Sequence, residues 1–431
     1  MDIMHLLVVS STLLSLIIFV QYVKKNNIIG VMYSAAFIFM VIGQNINIMF
    51  SLDDSSQVYY LYNYINYQGH FYANIILFFI LLNILLFINF LQKNSVSRRN
   101  VYNKVAIRGN INIYYNSQMI ILPVLSWFLI NIVGGLDDWA NTSRPVASGS
   151  TFFLVLLTGG IYPALFKIMS GSKVLWKDLI LSFLSIGLVI SFSRFLGLFM
   201  LLQLLCAWYY SGESKELKNN LGIMISSGFV FFVVFFIYGN YRHMIEYTQG
   251  MSIAEIIEYV LDHWETSLFS LDYNYHVGIE GMSGLSGILT FVEGNGDYFN
   301  IDFGLSALAG VLKIFPSTIR DFLVGDLLEY VQSIYWYRGS IVSSGLECFF
   351  MHFSIFIVLI YPAVWYFYTG YLHRKLSLRK FNFLQVMYLV IVVYGINIIR
   401  GTTANVLFYT FCEIIVAYLS YKWYRCLYVD E

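Results

Sequence analysis

The stretch Leu188-Val189-Ile190-Ser191-Phe192-Ser193-Arg194-Phe195-Leu196-Gly197 decides how the chain is threaded. Read as one apolar run, it belongs to a single long segment. Read as a break at Ser191-Phe192-Ser193-Arg194, it divides 175–191 from 195–211 and moves every later segment to the opposite side of whatever the chain crosses. The surroundings name that medium: of 431 residues, 58% are hydrophobic and only 12% are charged, a balance that no soluble domain of this size carries. The expectation is an all-α polytopic membrane protein.

A span needs about 20 apolar residues. Eleven segments qualify, at 4–23, 28–50, 71–91, 117–136, 150–169, 175–191, 195–211, 221–238, 345–369, 382–400 and 403–423. Lysines and arginines in short connections orient such a bundle. With the break kept, alternate connections gather the basic residues on one side, including Lys24, Lys25, Arg98, Arg99, Lys167, Arg374, Lys375, Arg379 and Lys380. The opposite side receives six arginines (Arg144, Arg194, Arg242, Arg320, Arg338, Arg400), the single lysine Lys313 and most of the carboxylates. Without the break, the Arg374–Lys380 cluster would face outward, against the charge rule. The N-terminus is therefore expected outside and the C-terminus in the cytoplasm. The first run, His5 to Tyr22, has its lysines after it and lacks a small-residue cleavage site, so it reads as a retained helix rather than a cleaved signal.

Three parts follow: residues 1–238 as a bundle of about eight helices, 239–344 as one large extracytoplasmic loop, and 345–431 as about three further helices. In the loop, Ser252 with Glu255 forms a capping box, followed by Ile253, Ile256, Ile257, Val260 and Leu261 at helical spacing, an amphipathic helix suited to the outer membrane surface. Gly278 to Gly304, dense in glycine, is expected to be irregular, Glu293-Gly294-Asn295-Gly296-Asp297 a turn, and Pro316 to open a second amphipathic stretch to Tyr330.

The residue types that remain point to an anionic ligand at the outer face. Arginine holds its charge at any relevant pH and grips phosphate oxygens with a planar fork, and it persists here on the side where basic residues are disfavoured. Arg194 lies between two apolar runs. Arg400 sits in Ile398-Ile399-Arg400-Gly401-Thr402-Thr403, and Arg338 follows Tyr335-Trp336-Tyr337. Arg320 and Arg242 divide evenly between ligand contact and loop salt bridge, and Arg144 reads as structural. Glu347 opens an apolar helix, where a carboxylate either answers the helix dipole or, partly buried, serves as a general base. His243, His263, His276 and His352 are the other possible bases. Glu413, inside the last span, needs an intramembrane partner and reads as structural. The four cysteines form no CxxC pair and the histidines match no zinc spacing, so neither a metal nor a cofactor is expected. There is no P-loop, GxSxG or dinucleotide fingerprint, and a net charge of zero gives no reason to expect nucleic acid.

Taken together, Ser193-Arg194-Phe195, Phe315-Pro316 with Arg320, Gly345-Leu346-Glu347 followed by His352-Phe353-Ser354, and Arg400-Gly401 resemble the O-antigen polymerases, the Wzy-type repeat-unit polymerases of the bacterial inner membrane. The Arg-x10-Gly loop pattern of some members has no counterpart here. The resemblance implies a lipid-linked glycosyltransferase at the periplasmic face. An acceptor hydroxyl on one undecaprenyl-diphosphate-linked repeat unit attacks the anomeric carbon of the growing glycan, and undecaprenyl diphosphate leaves. It also implies a chain-length regulator of the Wzz type as a partner. In that frame Arg194, Arg338 and Arg400, with Arg320 and Arg242, neutralise the leaving diphosphate without a metal, Glu347 is the first choice for the base and His276 the second. Two other readings fit the composition. An O-antigen ligase shares the outer loop and the arginines, whereas a flippase would carry charge through a central cavity and have no outer loop of this size.

Overall fold

The computed structural model describes residues 3–53, 65–91, 111–133, 150–211, 281–295, 345–377, 381–399 and 403–426, with Glu255 and Glu258. All regular structure among them is helical. Backbone N–H and C=O groups find no partner in hydrocarbon, so an apolar chain closes its hydrogen bonds within each segment. The elements are α1 (Ile3–Lys24), α2 (Ile28–Phe37) continued by a π-turn (Ile38–Ile42) into α3 (Gly43–Asp53), α4 (Tyr67–Phe90), α5 (Ile111–Val133), and α6 (Ser150–Leu156) passing through a 3-10 turn (Leu157–Ile161) into α7 (Tyr162–Ser170). Then come α8 (Trp176–Phe192), α9 (Arg194–Tyr210), α10 (Gly281–Asn295), α11 (Gly345–Phe353), α12 (Ile357–Tyr366), a π-turn (Phe367–Leu372), α13 (His373–Leu376), α14 (Phe383–Gly395) with a 3-10 turn (Ile396–Ile398), and α15 (Thr403–Cys426). Among the described residues, five helical stretches are long and apolar enough to cross a membrane: Ile3–Lys24, Ile28–Phe50, Tyr67–Phe90, Phe153–Ser170 and Gly345–Leu376. Segment 221–238 and the second amphipathic stretch of the loop lie outside the described residues. Glu255 and Glu258 are helical and exposed, on the polar face assigned to the first.

The break that orients the chain is present. Phe192 ends α8, Ser193 is extended (φ −151°, ψ 107°), and its hydroxyl accepts from the Leu196 N–H to start α9 at Arg194. The two helices fold back on each other, with Gly197 so close to Ile190 that a Cβ would collide with it.

Two compact units emerge, each from separated stretches: Met1–Val101 with Ile279–Phe411, and Tyr102–Gly278 with Cys412–Glu431. In the first, the α1–α2 turn is tied to the π-turn after α12. The Tyr22 hydroxyl meets Thr369 Oγ1 at 2.8 Å, Trp365 Nε1 donates to Tyr22 at 3.0 Å, and Asn27 Nδ2 donates to the Thr369 carbonyl at 2.6 Å. The irregular turn supplies the acceptor that a straight helix would have used internally. Lys25 closes the far end of α4, donating to the Ile88 carbonyl at 2.5 Å, and burial lowers its pKa below the ordinary lysine value.

In the second unit, α7 ends at Gly171, whose φ of 70° lets Ser172 N–H reach back to the Lys167 carbonyl at 2.8 Å. That reversal brings α8 against α7 and pairs Lys167 with Asp178. Lys167 was expected in a cytoplasmic connection, but it lies inside α7 and is 1% exposed. Its Nζ sits 2.9 and 2.8 Å from the two Asp178 oxygens and 3.2 Å from the Tyr115 hydroxyl.

Candidate functional site

Another correction to the sequence reading lies within 239–344. Gly281–Asn295 is not irregular but a 15-residue helix, α10, and Glu293 to Asn295 form its last residues rather than a turn. Met282, Leu285, Ile288 and Leu289 are buried, and the helix packs against α3, α4 and α11. Helix propensity is a weak prior that packing overrides. Glycines that lower propensity also let backbones approach, as at Gly69 of α4, where a Cβ would strike Thr290.

A stripe of polar contacts runs the length of α10. The Met282 N–H donates to Gln44 Oε1 of α3 at 3.1 Å, filling one of the unsatisfied donors at the helix start. Ser286 Oγ lies 2.8 Å from His70 Nδ1 on α4. Thr290 Oγ1 accepts from the Asn66 N–H at 3.2 Å, and Asn66 Nδ2 donates to Glu293 Oε2 at 3.1 Å. Positions 282, 286, 290 and 293 share one face of a helix. Behind Ser286 the chain of bonds continues inward: Asn74 Nδ2 is 3.2 Å from His70 Nε2 and donates to the His70 carbonyl at 3.0 Å, and Asn45 Nδ2 donates to Asn74 Oδ1 at 2.7 Å. His70, Asn74, Asn45 and Ser286 are all fully buried. The sequence reading missed this group. Its signal was an ionisable residue and an amide four apart at the edge of an apolar span, a pairing that the functional reading of polar residues in membrane segments would have picked out.

Of the residues expected to carry chemistry, Glu347 is described in full. It lies in the first turn of α11, 2% exposed, on the helix that packs against α10. The start of α11 abuts the 3-10 turn after α14, where a Cβ on Gly345 would run into the Ile398 carbonyl. The start of α11 thus meets Ile398 and Ile399, the two described residues that precede position 400 in the sequence. Arg194 is the first residue of α9 by its backbone. Arg400, Arg242, Arg320, Arg338 and His276 lie outside the described residues. His352 is buried in α11 beside Phe353.

Glu413 has the intramembrane partners its position demanded: the Tyr162 hydroxyl donates to Oε1, and Thr158 Oγ1 lies 2.8 Å from Oε2. Among the described residues, no group of three or more histidines, cysteines or acids could hold a metal ion.

The chain matches no protein-family model, and neither a curated protein nor a solved structure is similar to it at a significant level.

Proposed function

We propose that the chain is an inner-membrane O-antigen polymerase that joins undecaprenyl-diphosphate-linked repeat units at the periplasmic face. In this reading eleven spans place the N-terminus outside, the C-terminus inside and the 239–344 loop in the periplasm. The observation that carries the reading is the meeting of the α11 start with Ile398–Ile399. It sets a buried carboxylate, Glu347, on the segment that adjoins the one leading into Arg400. A glycosyl transfer that releases a diphosphate needs a base near the attacking hydroxyl and fixed positive charge near the leaving group. Glu347 supplies the first, with His276 as the second candidate. Arg400, Arg194 and Arg338, with Arg320 and Arg242, supply the other without a metal or cofactor. The donor and the acceptor are both lipid-linked glycans in the bilayer, and a Wzz-type regulator is the expected partner in setting chain length.

One observation favours a second reading. The Lys167–Asp178 pair and Glu413 are buried in the second unit, and a repeat-unit flippase would carry charge in its interior. The two are separated by the lipopolysaccharide of a strain deleted for this gene, with and without complementation. A ladder collapsed to core plus one unit supports the polymerase. Unsubstituted core throughout points to a flippase or to a ligase, and an unchanged ladder refutes all three.

A further inference from the structure

The hydrogen bonds around His70 fix where its ring proton sits. A backbone carbonyl only accepts, so the Asn74 atom 3.0 Å from the His70 carbonyl is its amide nitrogen. The second hydrogen of that nitrogen points at His70 Nε2, 3.2 Å away, and Nε2 therefore offers a lone pair. The ring hydrogen is left on Nδ1, where it donates to Ser286 Oγ at 2.8 Å. The Asn45 amide holds the other side of Asn74, donating to its Oδ1 at 2.7 Å. A second ring proton, on Nε2, would face an N–H. Flipping Asn74 to receive it would set its Oδ1 against the His70 carbonyl and an N–H against Asn45. The docked arrangement has no place for an imidazolium.

We infer that His70 is a positioning residue for the outer-face site: as the Nδ1–H tautomer it holds α10 to α4 through Ser286, and protonation of the ring releases α10 and the support it gives the start of α11. The docking part stands on the hydrogen bonds alone. The positioning part rests on the polymerase reading, because it acts through α11 on Glu347. Among the described residues, the other ionisable groups on the elements packed against α4 and α10 are few. On α10 the ionisable residue is Glu293, exposed and bonded to Asn66. From α1 come His5, Tyr22 and Lys24, from α3 Asp53, and from α12 the tyrosines Tyr361 and Tyr366. The pair at Lys25 and Ile88 is five turns along α4 from His70. On α11, which backs α10, stand Glu347 and His352.

A docked state that takes no proton loses stability as pH falls below the ordinary imidazole range, about tenfold in the docking equilibrium for each unit below about 6.5. The test uses the full chain in membranes, with Cys206, Cys348, Cys412 and Cys426 replaced by serine and Leu289→Cys as the reporter, a buried position on α10. Labelling by a membrane-impermeant maleimide is compared with the same reporter in a His70→Gln background, so that the pH dependence of the thiol cancels. His70→Asn serves if the glutamine variant does not accumulate. The expected ratio rises roughly thirtyfold between about pH 8 and about pH 5. A ratio that does not change between the two values overturns the docking inference. Polymer length in the same strains reports the positioning part: it should shorten at low external pH with His70 and stay constant with His70→Gln. Pronounced labelling changes with polymer length unmoved would overturn the positioning role alone. Absence of polymer under all conditions, with labelling as expected, would count against the polymerase reading and leave docking intact.

Discussion

Replacing Asp178 by asparagine strands a charge. Lys167 and Asp178 are 1% and 0% exposed, and the ammonium spends its three hydrogens on the two carboxylate oxygens and the Tyr115 hydroxyl. At 2.8 Å the Coulomb attraction at an effective dielectric of about 20 is roughly 6 kcal/mol. Breaking a buried pair by removing one partner costs about 3–5 kcal/mol. Asparagine keeps an oxygen for the Leu175 N–H that starts α8, a bond of 2.6 Å with Asp178, so the helix cap survives and the loss is electrostatic. At about 3 kcal/mol and about 2–4 °C per kcal/mol for a unit of this size, the unfolding midpoint falls by about 6–12 °C. The structure also orders the variants. Lys167→Met leaves the carboxylate with two donors, the Tyr115 hydroxyl and the Leu175 N–H, whereas Asp178→Asn leaves the ammonium without a counter-charge in the pair. Lys167→Met should therefore cost less, and the double variant Lys167→Met with Asp178→Asn should recover most of the loss of Asp178→Asn. The assay is the fraction of detergent-solubilised protein that remains monodisperse on size exclusion after heating. A double variant no more stable than Asp178→Asn, or a Lys167→Met variant that is the worse single change, refutes the reasoning.

Three further outcomes are expected. Glu347→Gln should abolish polymer while leaving protein abundance and binding of the lipid-linked donor in place; wild-type chain lengths would remove Glu347 as the base. Arg194→Ala and Arg400→Ala should each eliminate long-chain polymer at unchanged abundance, and normal ladders from both would take them out of the site. Gly69→Val drives a branched side chain into Thr290, an overpacking cost of about 1–3 kcal/mol, and should raise labelling of Leu289→Cys at neutral pH by roughly fivefold or more; unchanged labelling would show that α10 does not dock there.

The helices were legible because hydropathy needs only composition. Each candidate segment that falls among the described residues lies on helix, and the break at Ser191-Phe192-Ser193-Arg194 follows from the charge rule applied to the Arg374–Lys380 cluster. The pairing of Lys167 was not legible. A lysine at the end of an apolar segment reads as an interfacial charge, and only the reversal at Gly171 shows that Asp178, eleven positions on, turns back to meet it. For α10 the composition misled, since Gly281, Gly284, Gly287 and Gly294 are breakers by propensity. The same small residues suit a helix enclosed by α3, α4 and α11, an environment that no local window contains.

The candidate site divides in the same way. Glu347 was singled out by its residue type at a helix start, and the arginines by their sign on the side where basic residues are expected to be disfavoured. His70, Asn74, Asn45 and Ser286 escaped because their meaning is relational: they come from three segments, and more than two hundred positions separate His70 from Ser286. In spans averaged for hydropathy, one of these asparagines in each and a histidine at the edge merely lower the score. Their value appears when the donors are counted, because the His70 carbonyl fixes the Asn74 amide, the amide fixes the ring, and the ring fixes Ser286. Such a directional chain admits one protonation state, and it joins α4 to α10 through a group that titrates near neutrality when exposed. The hydrogen bonds thus give a structural role to a histidine that the sequence presents only as a polar residue ahead of an apolar run.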